Sequence, residues 1–80
     1  MLDSLKSSNK TVGLKQSLKA VENGTAKVVF IASDSDERVV AGIRELCQKG
    51  SIEIIQVETM KQLGKACGIE VGAAVVCILK

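Results

Sequence analysis

Apolar positions along this chain switch between two periods. Leu14, Leu18 and Val21 recur at helical spacing, and Asn23-Gly24 supplies a stop. Ala26-Lys27-Val28-Val29-Phe30-Ile31-Ala32 is a short apolar run, long enough for a buried strand and too short for a core helix. Ser33-Asp34-Ser35-Asp36-Glu37 opens a second helix, with Asp34 and Glu37 at capping-box spacing. Val39, Val40, Ile43, Leu46 and Cys47 form the predicted buried stripe of that helix, and Lys49-Gly50 ends it.

The alternation then repeats. Ile52 to Val57 reads as a second strand, and Thr59 with Gln62 makes another capping box. Leu63, Ala66 and Cys67 face inward on a third helix that Gly68 terminates. Ala73 to Leu79 is continuously apolar, as suits a strand covered on both faces. A short helix near Leu2–Ser8 and a brief extended segment at Thr11-Val12 precede these elements. The pattern predicts an α/β protein, a three-layer α/β/α sandwich around a small, mixed, mostly buried sheet. No linker, repeat or low-complexity stretch divides residues 1–80, so a single domain is expected.

Composition narrows the chemistry. Phe30 is the only aromatic residue, so the core is aliphatic and the chain lacks rings on which single-stranded bases could stack. Cys47, Cys67 and Cys77 are odd in number and not in CxxC spacing, and there is no histidine to complete a zinc site. They read as reduced core residues of a cytoplasmic protein. Met1 to Lys10 carries no apolar signal segment, and no apolar run reaches the roughly 20 residues a membrane helix needs, so no membrane partner is expected.

Enzyme signatures are thin. Without histidine the commonest general base is absent. Gly64-Lys65 resembles the end of a phosphate-binding loop, but Ala66 stands where a magnesium-holding Ser or Thr belongs, and Thr59 stands where the first glycine belongs. Asp34 and Asp36 lack the third acid and loop glycine of a calcium site, and Cys67 lies on an apolar stripe. Neither catalysis nor a cofactor nor a metal is expected.

Charge and loop composition favour binding instead. Residues 1–27 carry five lysines against Asp3 and Glu22, a balance of +3. Residues 33–58 carry three basic side chains against six acids, −3, and residues 59–80 carry three lysines against Glu70, +2. If the two basic ends meet in space they make one positive face, which suits phosphate; otherwise the charges are ordinary solvated ones. Lys15 and Lys19 are one turn apart on the face opposite Leu14, Leu18 and Val21, and Gln16 lies beside them in the first turn. Free backbone N–H groups there favour anions, lysine holds phosphate, and glutamine can pair with base edges. Gly13 would let a backbone approach closely. The second feature is the loop Ile69-Glu70-Val71. Loops are normally polar, so two apolar residues at a loop tip suggest that something apolar docks there.

Three segments together resemble the kink-turn-binding ribosomal protein family of the L7Ae/L30e type, and most of all its short bacterial YbxF-like members. They are the helix start Gly13–Lys19, the strand exit Ala32-Ser33-Asp34-Ser35-Asp36, and the block Leu63–Ala74. The resemblance covers nearly the whole chain. It implies an α/β/α sandwich whose ligand is structured RNA containing a kink-turn, a duplex with a short bulge beside tandem sheared G·A pairs. It places Gly13, Lys15, Gln16 and Lys19 in the groove at those pairs, and Ile69, Glu70 and Val71 over the bulge. Lys15-Gln16 replaces the archaeal Asn-Glu, and Gly72 replaces an archaeal proline. The resemblance implies a monomer working on or near the ribosome, with ribosomal RNA or a riboswitch as its target. The alternative is a protein-interaction module of the same fold that docks through the Ile69–Val71 loop.

Overall fold

In the run from Ala26 to Ala32, Val29 and Ile31 enter one core while Val28, Phe30 and Ala32 enter another. Side chains alternate across a strand, so a run apolar at nearly every position fills two cores, one on each face of the sheet. The computed structural model describes residues 9–69 and 71–80. Among them the elements are β1 (Lys10–Val12), α1 (Leu14–Glu22), β2 (Ala26–Ala32), α2 (Glu37–Lys49), β3 (Glu53–Val57), α3 (Met60–Ala66) and β4 (Val75–Leu79). The expected helix near Leu2–Ser8 lies outside the described residues.

The four strands form one mixed sheet in the order β1-β4-β2-β3. β2 pairs with β3 in parallel, and β4 runs antiparallel to both of its neighbours, β1 and β2. A bulge between Ala26 and Val28 breaks the alternation, which puts Ala26 in the same core as Val29 and Ile31. On one face, α1 and α2 cover Val29, Ile31, Val75 and Cys77 with Ala20, Val21, Val40, Ile43 and Cys47. On the other, α3 covers Phe30, Val57 and Val76 with Leu63 and Cys67. The three-layer arrangement is the one expected.

Two details differ from the sequence reading. Val39 is 42% exposed, because the buried stripe of α2 follows Val40, Ile43 and Cys47 and Val39 lies on its flank. Asp34 does not cap α2. That role falls to Asp36, whose carboxylate accepts from the Arg38 N–H at 3.0 Å. A tight turn explains the shift: the Ser35 amide and hydroxyl both donate to the Ala32 carbonyl, at 3.2 and 2.6 Å, which delays the helix start to Glu37. The Thr59 cap is where the sequence placed it, with its hydroxyl accepting from the Gln62 N–H at 3.0 Å.

The three cysteines are free and buried. Burial raises the thiol pKa of Cys47 and Cys67. Cys77 is pushed up to about 11, by burial first and then by neighbouring Cys47, against an opposing hydrogen bond from Thr11. Neutral buried thiols are inert, which agrees with their place in the core.

Candidate nucleic-acid interface

The strand directions decide which segments can share a site. β1, β2 and β3 run the same way and β4 runs back, so the C-terminal ends of three strands and the start of β4 lie at one end of the sheet. All three described helices begin at that end, and the loop from Gly68 to Ala74 returns to it. The start of α1 is tied to the strand into which the apolar loop leads: the Gly13 N–H donates to the Val75 carbonyl at 2.8 Å. The start of α1 and the end of the apolar loop are therefore joined through the first residue of β4.

Gly13 turns the chain from β1 into α1 with φ +106°, a backbone conformation open to glycine and strained for other residues. A Cβ there would meet nothing within 4 Å, so conformation demands the glycine, and the space above it stays open. Gly13 offers no side-chain cap, and its carbonyl accepts the first helical bond, from Ser17. The amides of Leu14, Lys15 and Gln16 are left without a partner among the described residues. The other two helix starts differ: α2 has Asp36, and α3 has Thr59. Free N–H groups and the helix dipole make the α1 start attractive to anions.

Lys15, Gln16 and Lys19 are exposed, and with Leu18 and Glu22 they line an open depression of about 490 Å³ along α1. The buried side of the helix is narrower than its leucines suggest. Ser17, Ala20 and Val21 are buried, while Leu14 and Leu18 pack at the rim. The Ser17 hydroxyl, fully covered, hydrogen-bonds the Thr11 hydroxyl at 3.2 Å and so ties α1 to β1. Every ion pair among the described residues belongs to α2 and its cap: Arg38–Asp36, Arg44–Glu37 and Lys49–Glu45. The lysines of α1 and α3 have no acidic partner among those residues. The two basic helices lie on opposite faces of the sheet, so they do not form one flat positive face. Lys10, Lys27 and Lys80 stand at the other end of the sheet, at the starts of β1 and β2 and after the end of β4.

The apolar loop divides. Val71 is 70% exposed, whereas Ile69 is half-buried against the α3 core. The cause is the way α3 ends. The Ile69 amide donates to the Gly64 carbonyl at 3.1 Å and the Gly68 amide to the Lys65 carbonyl at 3.0 Å, with Gly68 at φ +79°. That pair of bonds folds the residue after the glycine back onto the helix. A glycine stop followed by an apolar residue is the signal that could have assigned Ile69 to the core. Glu70 lies outside the described residues.

The sequence reading also missed what positions this loop. A Cβ on Gly64 would run into the Val71 carbonyl oxygen, and one on Gly72 would lie 3.1 Å from Met60 Cβ. The loop thus runs back along α3 at a distance only small residues permit. No helix among the described residues is long and apolar enough to cross a membrane, and no group of three or more metal-ligating side chains occurs among them.

Comparison with known proteins places the chain in a family. The ribosomal protein L7Ae/L30e/S12e/Gadd45 family matches residues 2–80. The chain is 51% identical over 65 residues to the RNA-binding protein TTE2299 of Caldanaerobacter subterraneus subsp. tengcongensis, covering 81% of this chain and 79% of that protein. It is 38% identical over 69 residues to the RNA-binding protein YbxF of Geobacillus stearothermophilus, covering 86% and 84%. With the large ribosomal subunit protein eL8 of Halobacterium salinarum it shares 41% identity over 68 residues, 84% of this chain and 57% of that one. The solved structure of the Giardia lamblia 15.5kD RNA binding protein superposes with a TM-score of 0.92 at 27% identity, over 99% of this chain and 70% of that chain. These relatives are named as RNA-binding or ribosomal proteins rather than enzymes. On the family match and these identities, the chain belongs to the ribosomal protein L7Ae/L30e/S12e/Gadd45 family.

Proposed function

We propose that this protein binds structured RNA and that its preferred target is a kink-turn. The observation that carries the reading is the junction at one end of the sheet, where the uncapped start of α1 and the Val71 loop are joined by the Gly13–Val75 hydrogen bond. The names of its relatives support RNA as the ligand, and the likeness to a large-subunit protein supports work on or near the ribosome.

In this reading α1 enters the groove at the sheared G·A pairs. Lys15 and Lys19 hold phosphates, Gln16 addresses guanine edges, and Gly13 leaves room for the RNA backbone. Val71 covers an extruded nucleotide, with Ile69 supporting the loop from below and Glu70 between them. The protein acts as a single-domain cytoplasmic monomer and breaks no bond. A kink-turn exchanges between bent and extended forms, and a protein that contacts only the bent form shifts the balance by its differential affinity.

The test is a titration into a short kink-turn RNA and into a control whose G·A pairs are replaced by Watson–Crick pairs, at two salt concentrations. Tight binding to the intact motif alone, weaker at higher salt, is expected. Equal weak binding to both would reduce the site to a general basic surface. It would then favour a protein partner for the exposed Val71.

A further inference from the structure

Of the two acids in the Ser33–Asp36 turn, Asp36 caps α2 and Asp34 does not. The Asp34 carboxylate instead accepts from the Met60 N–H at 2.8 Å, across 26 residues of sequence, at the first residue of α3. The turn that holds it is anchored to both neighbouring strands, since the Ser33 amide donates to the Val57 carbonyl at 2.7 Å and the Ser35 amide to the Ala32 carbonyl. The Met60 carbonyl in turn accepts from the Ala73 N–H at 3.0 Å, and the Ala32 N–H donates to the Ala74 carbonyl at 2.9 Å. These bonds close a ring from the end of β2, through Asp34 and Met60, to Ala73 and Ala74, and back to β2. Val71 stands two residues outside that ring.

We propose that Asp34 is a positioning residue for the RNA-binding loop, fixing the start of α3 so that the Gly68–Ala74 loop holds Val71 at the end of the sheet where α1 begins. The inference rests on the RNA-binding reading above. α3 has only seven residues, too few to be stable without external ties, and its N-terminus is where an acid is stabilising. With the start of α3 fixed, Met60 offers its carbonyl to Ala73 at a constant place. Without it, the loop loses its anchor, and apparent affinity falls with the fraction of molecules in the competent arrangement.

The sign of the effect separates this role from simple electrostatics. A carboxylate beside an RNA site repels phosphate, so removing it would strengthen binding if charge were all that mattered. Asp34→Ala and Asp34→Asn, compared with wild type, make the test, because asparagine keeps a capping oxygen and loses the charge. Amide exchange at Met60 and Ala73 is measured without RNA, and binding to the kink-turn RNA is measured at two salt concentrations. Asp34→Ala is expected to speed exchange at both amides and to weaken binding about fivefold with an unchanged salt slope, while Asp34→Asn stays within about twofold of wild type. Unchanged exchange at Ala73 in Asp34→Ala, or tighter RNA binding by both variants, would overturn the proposal. If the wild type fails to discriminate the kink-turn from its control, the RNA reading fails, and exchange at Ala73 still decides whether Asp34 positions the loop.

Discussion

Lys19 and Gln16 share the exposed side of α1, yet they differ in what they can contribute. Lys19 has no acidic partner among the described residues, and a lysine that neutralises one phosphate releases about one counterion on binding. Lys19→Ala is therefore expected to weaken RNA binding and to flatten the plot of log K against log salt by about one unit. An unchanged slope would take Lys19 off the phosphate backbone. Gln16 carries no charge, so its contribution belongs to base edges. Gln16→Ala should narrow the preference for an intact G·A core over the Watson–Crick control, with little change in salt slope. Equal loss on both RNAs would remove its base-reading role.

At the scale of elements, the α3–loop unit depends on close backbone approach as well as on hydrogen bonds. Gly64 lies against the Val71 carbonyl with no space for a Cβ. Gly64→Ala must move the loop or the helix, and overpacking of this kind costs about 1–3 kcal/mol. We expect urea unfolding to record that loss, with RNA affinity falling because Val71 is displaced. A variant as stable as wild type, with unaltered affinity, would show that the loop yields freely. The start of α1 is an element of a different kind. Its register on the sheet comes from the Ser17–Thr11 hydroxyl pair and the Gly13–Val75 bond, so the helix presents Lys15, Gln16 and Lys19 from a fixed base.

The whole molecule is held by two apolar cores with thiols inside them, and this makes its stability sensitive to alkali. Cys77 is raised from 9.0 to about 11 in the folded chain. An acid whose folded pKa is raised keeps its full contribution below the unfolded value. As pH climbs above 9 the unfolded chain sheds its proton first, and stability drains away until the folded thiol ionises near 11. The full loss for a shift of this size is about 3 kcal/mol. Cys47 and Cys67 act in the same direction. Urea unfolding of wild type and Cys77→Ala at pH 8 and pH 10.5 isolates the effect, with a smaller fall expected in the variant. Equal falls would assign the alkaline loss to other groups.

The sequence by itself determined the elements, the two-sided core and the surface of α1, because these depend on period and on caps within a few residues. The run Ala26–Ala32 had to be a buried strand, Ala73–Leu79 had to be one covered on both faces, and Lys15, Gln16 and Lys19 had to lie opposite Val21. The stop at Gly68 was legible too, and with it the inward turn of Ile69, had the apolar residue after the glycine been read as part of the helix end. Only tertiary structure decided what each end met. Asp34 and Glu37 have capping-box spacing, but a tight turn handed the cap to Asp36 and freed Asp34 for a backbone amide 26 residues away. Sequence spacing already ruled out a phosphate loop at Gly64, but the reason for a glycine there is the returning loop pressed against it. The basic ends of the chain proved not to share a face, since α1 and α3 cover opposite sides of the sheet, because strand order and direction are set by long-range pairing that no local spacing records.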